Sequence, residues 1–315
     1  MPNIRVPLGG FAVLLSLALV LVSCDDSSGG PATGPAPAAE ATPDAVVLSQ
    51  GREVLRFYGA PVRVGNGLAR TYLLVDRTNR DLPLELGVSL TDGVMEGLPA
   101  AEGPSVHPGA VHGHESMTVS LLEVPHGNTT PYQFVQLNWN PSGHEPTAIY
   151  GLPHFDFHFY TISKEEREAI VPADPDFAAR AANLPAAEFR PPFYVDNGTA
   201  VSLPAGLVTV PRMGLHWIDV RSPELQAALG NPAGFQPFTK TYFIGSWDGR
   251  FIFGEPMITR AYLLAVRDAA GDEIIPLPAA ARAEPPGFYP RAYRIAYDPR
   301  AHEFLIGLTD LQRQE

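Results

Sequence analysis

The sequence has few of the residues that several large classes of protein depend on. A single cysteine, Cys24, means that no disulfide can form within the chain. Lys164 and Lys240 are its only lysines, and 22 basic against 34 acidic residues give a formal net charge of −12. Because no basic cluster follows any segment, the electrostatic footprint of a nucleic-acid-binding protein is missing, and we expect no nucleic-acid partner.

Turn-forming residues are abundant instead. The 315 residues include 29 glycines and 33 prolines, and 45% of the chain is hydrophobic. That apolar fraction is enough for a real core, which excludes a wholly disordered chain. Frequent glycine and proline favour many short strands and turns over long helices.

The N-terminus carries the pattern of an export signal. An apolar run at residues 11–22, interrupted only by Ser16, is shorter than the roughly 20 residues that a membrane-spanning helix needs. The run ends in Leu21-Val22-Ser23-Cys24, which resembles the bacterial lipobox. The resemblance implies that residues 1–23 are a lipoprotein signal peptide and that Cys24 carries lipid.

Residues 24–44 contain no aromatic side chain and predict a flexible, lipidated tether, because they cannot bury enough apolar surface to fold. The protein is then expected to be exported to the cell envelope, on the periplasmic or extracellular face. Its partner there is the membrane, reached through the lipid on Cys24.

Residues 45–315 predict one β-rich domain. Strand patterns occur at 46–58, 69–76, 83–91, 117–124, 132–139, 154–162, 242–247, 250–258, 260–266 and 303–308. Asp248-Gly249 between two of them is a hairpin signal. Short helices are expected after Ser163, with Glu166 completing a capping box, and near 174–184 and 222–230. The fold class is therefore mainly β, an antiparallel β-sandwich or open barrel with a few short helices.

One predicted strand carries an unusual row of polar side chains. Residues 153–160 read P-H-F-D-F-H-F-Y. Since side chains alternate across a strand, His154, Asp156 and His158 share one face, and three phenylalanines share the other. Imidazole and carboxylate are common ligands of zinc and other divalent transition metals, so this row is a candidate metal site.

Geometry limits how the row can bind an ion. Residues i and i+2 of a strand lie about 6.6 Å apart, so Asp156 with one neighbouring histidine is the best ligand pair. The second histidine then supports the first or acts as a base. Further donors that could complete the site from other segments are His144, Glu145, His216 and Glu255.

Other interpretations of these residues stay open. The row can be a structural chain of hydrogen bonds in a non-catalytic envelope binding or assembly module. Alternatively, a metal-bound water would make the protein a hydrolase. An oxygenase with two histidines and one carboxylate as iron ligands is not favoured, because such enzymes commonly need a cytosolic keto acid and this chain carries an export signal. The histidines of a glycine- and proline-rich stretch predict a polar loop: His107, His112, His114 and His126. No P-loop, complete dinucleotide loop or serine nucleophile elbow is present.

Several strings are similar to one family. They are G-N-G-L-A-R-T-Y (65–72), E-G-L-P-A (96–100), N-P-S-G-H-E-P (140–146), P-H-F-D-F-H-F-Y (153–160), M-G-L-H-W (213–217) and E-P-M-I-T (255–259). The combination resembles the TTHB-like domain family of exported bacterial proteins, over about residues 50–265. That resemblance implies a mainly β domain that self-associates as a homo-oligomer. It implies no established activity, so the metal role of these residues is an inference from their chemistry.

Overall fold

Short alternating segments between glycines and prolines form fifteen β-strands in residues 42–100 and 117–315, which are the residues that this computed structural model describes. These residues belong to one compact unit. The described residues are 43% strand and 18% helix, in two antiparallel sheets of which one is a half-barrel. The predicted mainly β fold class is confirmed.

The first sheet contains strands from both ends of the domain. Its order is β1-β2-β4-β5-β15-β14-β13, and β3 pairs with β4. Its strands are β1 Ala45–Ser49, β2 Arg52–Tyr58, β3 Val62–Val64, β4 Gly67–Asp76, β5 Pro83–Thr91, β13 Asp272–Pro276, β14 Gly287–Asp298 and β15 Glu303–Gln314. The single strand predicted at 46–58 is thus a hairpin, because Gln50 and Gly51 both adopt positive φ angles and reverse the chain.

The second sheet contains the middle of the chain, in the order β6-β7-β8-β12-β11-β10-β9. Its strands are β6 Thr118–Glu123, β7 Phe134–Asn140, β8 His154–Tyr160, β9 Tyr194–Asp196, β10 Leu215–Asp219, β11 Lys240–Trp247 and β12 Arg250–Thr259. The predicted Asp248-Gly249 hairpin joins β11 to β12. Strand β8 lies between β7 and β12, near the centre of the sheet, where it is covered on both faces.

The helices of the described residues are short: α1 Thr147–Tyr150, α2 Lys164–Glu168, α3 Phe177–Ala182, α4 Asn197–Val201, α5 Ala205–Val208 and α6 Arg260–Asp268. Ser163 and Glu166 form the predicted capping box at α2. The helix predicted near 222–230 is reduced to a 3-10 turn at Pro223–Leu225. None of these helices is long and apolar enough to cross a membrane.

The strand predicted at 260–266 is wrong, because this segment is helix α6. The Thr259 hydroxyl accepts a hydrogen bond from the Tyr262 backbone N–H at 3.2 Å, which caps the helix. Leu263 and Val266 are three residues apart, so they share one helical face and are both buried. The apolar residues of the predicted strand therefore include the inner stripe of a short helix.

The main core lies between the two sheets. Strand β8 contributes Phe155, Phe157 and Phe159, which are fully buried there. Strands β5 and β15 of the first sheet face them with aliphatic side chains that include Leu86, Val88, Ile306 and Leu308. The opposite face of the second sheet is also covered, and the polar row lies on that face.

The predicted signal peptide, Cys24, most of the tether and three histidines, His107, His112 and His114, lie outside the described residues.

Candidate metal centre

Strand β8 presents its polar row away from the main core, on the face that the alternation predicts. His154, Asp156 and His158 are each at most 1% exposed. Burying polar side chains so completely is costly unless each one finds a partner. The structure divides this row between two separate clusters rather than one.

The first cluster, called here the first triad, consists of His144, His154 and Asp156. His154 and Asp156 are neighbours on the same face of β8, and their Nε2 and Oδ1 atoms lie 3.1 Å apart. The loop before β8 brings in His144, whose Nε2 lies 3.9 Å from Asp156 Oδ2. Gly143 makes that loop possible, since its φ is +68° and any side chain there would overlap the Tyr150 carbonyl.

The second cluster, called here the second triad, consists of His158, His216 and Glu255. Glu255 lies on β12, and its Oε1 is 3.2 Å from Nε2 of His158 on β8. His216 lies on β10, and its Nε2 is 3.6 Å from Glu255 Oε2. Three different strands therefore supply this triad.

Within each triad, one potential ligand atom from each side chain lies within 4.8 Å of the other two. Tetrahedral zinc binds nitrogen and oxygen ligands at about 2.0–2.2 Å, so two ligands of one ion lie roughly 3.3 Å apart. The four histidine-to-carboxylate distances, from 3.1 to 3.9 Å, scatter around that value. Both triads have donor sets and spacings that could hold a metal ion.

Hydrogen bonds orient the histidines of the first triad toward its carboxylate. His154 Nδ1 donates to the Leu152 carbonyl at 2.6 Å, and His144 Nδ1 donates to the Glu145 carbonyl at 2.9 Å, because a carbonyl oxygen can only accept. The Nε2 atom of each neutral ring then carries a lone pair on its Asp156 side. Such second contacts fix the tautomer of metal-binding histidines.

Several buried atoms of the triads form no hydrogen bond in the described part of the chain. They are His154 Nε2, Asp156 Oδ1, both ring nitrogens of His158, and Glu255 Oε2. The close His154–Asp156 and His158–Glu255 contacts are misaligned for hydrogen bonding. Each unsatisfied buried polar atom costs about 1–3 kcal/mol, so a bound cation would satisfy an otherwise expensive arrangement.

Burial and mutual electrostatics shift the acid–base behaviour of these groups. Burial alone would raise the pKa of Asp156, but the facing His154 and His144 hold that pKa well below its usual range. Burial lowers the pKa of His154, yet the Asp156 carboxylate outweighs this and raises it overall. An ionised Asp156 is the form that a metal ion requires.

The second triad behaves differently. Burial, with a smaller contribution from the Asp156 charge, raises the pKa of Glu255 well above its usual range. Burial lowers the pKa of His158 well below its usual range, which keeps the ring neutral and able to donate a lone pair. The effect of Asp156 on Glu255 also indicates that the two triads are electrostatic neighbours.

No protein-family model, curated protein or solved structure matches this chain. The resemblance to the TTHB-like domain family stays a prediction that rests on its quoted strings. The candidate site therefore rests on its own geometry and chemistry.

A polar set on strand β7 was missed by the sequence analysis. Gln136, Asn138 and Asn140 alternate along β7 and pair in register with His158, Asp156 and His154 of β8. Asn140 Nδ2 donates to Asp156 Oδ2 at 2.7 Å, and Gln136 Nε2 donates to Asn138 Oδ1 at 2.9 Å. Their signal is the Q-x-N-x-N alternation, whose spacing matches the row on β8.

One predicted ligand lies outside both triads. The Glu145 side chain is exposed, and its carboxylate accepts a hydrogen bond from the Thr147 backbone N–H at 2.9 Å. It therefore stabilises the first turn of α1, and only its backbone carbonyl contacts the first triad. His126, the described member of the polar-loop histidines, is exposed and belongs to neither triad.

Aromatic rings help to enclose the triads. His154 lies edge-on to Phe238 with 5.4 Å between ring centroids, and Tyr150 and Phe243 lie beside the triads in the same cluster. No triad side chain is more than 7% exposed. An ion held here would be screened from bulk water, which strengthens its attraction to the carboxylates.

Proposed function

We propose that this protein is an exported, lipid-anchored bacterial protein whose β domain binds two divalent transition-metal ions, one in each triad. Zinc is the first choice, because two imidazoles and one carboxylate are a common zinc ligand set. The observation that carries the proposal is the convergence of six buried donors in two groups at ligand spacing.

Two ions fit the donors better than one. Each triad has its own carboxylate and two imidazoles, so each provides three ligands to a four-coordinate ion. Asp156 and His158 are two residues apart on β8, about 6.6 Å between their Cα atoms, and their side chains belong to different triads. The Asn and Gln row lies beside the ligands on the neighbouring strand β7, and Asn140 supports Asp156 by a hydrogen bond.

Burial favours metal binding over hydrolysis. A hydrolytic zinc keeps an open coordination position that faces its substrate, whereas a structural zinc is enclosed. The donors here are at most 7% exposed and lie beneath aromatic side chains. We therefore propose that the ions stabilise or are stored by the domain, rather than activate water.

Metal content is the direct test of this proposal. The chain from residue 25 onward, purified without added metal or chelator, is expected to contain about two zinc or other transition ions per molecule. Chelation is expected to lower the melting temperature, since an ion that binds only the folded state stabilises it by about 4 kcal/mol at 1,000 times its Kd. Elemental analysis and thermal melting measure both effects. A metal-free protein whose melting temperature does not respond to added zinc would leave the row as a structural hydrogen-bond network.

Export and lipidation have a separate test. Cys24→Ser is expected to abolish incorporation of labelled palmitate and to leave the signal peptide attached, because the lipid is added at the cysteine before cleavage. Labelling of the full chain in a bacterial host, followed by mass analysis, measures both effects. Ser27→Ala is a matched control that keeps the cysteine. Equal labelling of Cys24→Ser and the unchanged chain would contradict the lipid anchor.

A further inference from the structure

A cavity lies on the other face of the second sheet from the triads. It spans about 790 Å³, part of it open to solvent, and is lined by β11, β12, the start of β14 and the 277–284 segment. Its aromatic side chains are Tyr132, Phe189, Tyr194, Tyr242, Phe251 and Tyr289. Phe253 also borders the cavity, but its ring packs against His158 and His216 on the triad face. So many rings around one space suit an apolar, preferably flat ligand.

Two of the four tyrosines in this lining have unused hydroxyls. Tyr194 donates to the Tyr242 carbonyl at 3.0 Å, and Tyr289 donates to the Pro285 carbonyl at 2.7 Å. By contrast, the hydroxyls of Tyr132 and Tyr242 form no hydrogen bond to any described residue, although these residues are only 4% and 8% exposed. A buried phenol normally finds a partner, so these two are suited to a ligand oxygen.

Gly254 provides the room for one of these hydroxyls. It lines the cavity on β12, and any side chain at this position would overlap the Tyr242 hydroxyl. Gly254 lies directly before Glu255, so successive residues of one strand serve the cavity on one face and the second triad on the other.

The exposed side chains of Arg282 and Glu284 both line the cavity, so its edge carries one charge of each sign there. The Arg282 guanidinium lies 5.6 Å from the centre of the Phe189 ring. It forms no ion pair with the described residues, whereas Arg250, the other arginine of the lining, is paired with Glu166 at 2.8 Å. An arginine without a carboxylate partner is well suited to bind one from a ligand.

We propose that this cavity binds one small, elongated and mainly apolar molecule that carries a hydrogen-bond-accepting oxygen at its inner end and a carboxylate at its outer end. The rings hold the apolar body, Tyr132 and Tyr242 donate to the inner oxygen, and Arg282 pairs with the carboxylate. This binding needs no metal, because the triads lie on the opposite face of the sheet.

Calorimetric titration with para-methoxycinnamate tests the proposal, using the chain from residue 25 onward, which contains the whole described compact unit. We expect one saturable site per chain. Arg282→Gln is expected to weaken the binding of para-methoxycinnamate at least fivefold. The binding of the neutral para-methoxycinnamamide should stay unchanged. Replacing both tyrosines, Tyr132→Phe with Tyr242→Phe, is expected to weaken the binding of the methoxy compound more than the binding of cinnamate itself.

Two further variants keep the test decisive. Ala280→Trp places a large side chain at a half-buried position of the segment that lines the cavity, and is expected to abolish binding while the melting temperature shows that the fold persists. Arg300→Gln removes an exposed arginine in the β14–β15 turn, outside the lining, and is expected to bind normally. No saturable binding at millimolar ligand, or binding that Arg282→Gln and Ala280→Trp leave unchanged, would overturn the proposal.

Discussion

Replacing Asp156 by alanine is expected to lower the metal content from about two ions per chain to about one. Asp156 is the only carboxylate of the first triad, and its removal leaves two neutral imidazoles to hold a divalent ion. Loss of a supporting contact around a metal typically costs 10- to 100-fold in affinity. Loss of a direct anionic ligand should therefore cost at least about 100-fold, or roughly 3 kcal/mol.

Glu255→Ala makes the corresponding change in the second triad. Each single variant is expected to retain about one ion, and the double variant none, because each triad has its own carboxylate. Elemental analysis gives the stoichiometry, and competition with a chromogenic chelator gives the affinity. This pattern separates two sites from one shared site, for which either single variant would lose everything.

His302→Ala is the matched control for these variants. The His302 side chain is 72% exposed, and its Nδ1 lies 3.4 Å from Asp92 Oδ2, outside both triads. Its loss is expected to change neither metal content nor affinity. Normal metal content in both Asp156→Ala and Glu255→Ala would contradict the proposed centre, even if the unchanged protein contains metal bound elsewhere.

The row on β8 could be predicted because it depends only on local geometry. Strand alternation places His154, Asp156 and His158 on one face whatever the rest of the chain does. The assignment of donors to two triads depends on which strands become neighbours. His216 and Glu255 meet His158 because the sheet order runs β8-β12-β11-β10, which is not the order along the chain. Only the folded sheet determines that arrangement.

The failed predictions have equally specific causes. Residues 260–266 form a short, mostly apolar run that was predicted as a strand, but the cap from Thr259 and the buried pair Leu263 and Val266 favour a helix. Strand β14, twelve residues long, was not predicted, because its outer positions carry Tyr and Arg rather than a clean polar alternation. Tertiary pairing with β15 and β13 stabilises it instead. Glu145 looked like a ligand because it follows His144, yet the turn before α1 directs its carboxylate to Thr147.

Alternate residues of strand β8 thus have two different roles. Its phenylalanines fill the core between the sheets, and its polar side chains form the triads on the other face. Changes at consecutive residues should therefore have effects of different kinds. His158→Ala is expected to remove the ion of the second triad, with little change in the stability of the metal-free chain. Its neighbour Phe157 should show the reverse behaviour.

Phe157→Ala is expected to lower the free energy of unfolding by about 3–5 kcal/mol, because it removes a fully buried ring and leaves a cavity between the sheets. Urea unfolding in the presence of a chelator measures this without a metal contribution. Phe235→Ala, at a phenylalanine that is 46% exposed, is the control and should change stability by less than about 1 kcal/mol. The ion content of folded Phe157→Ala should stay near that of the unchanged chain, since its side chain points away from both triads. A stability loss in His158→Ala as large as that in Phe157→Ala, with metal removed from both, would mean that the polar face holds the fold together rather than an ion.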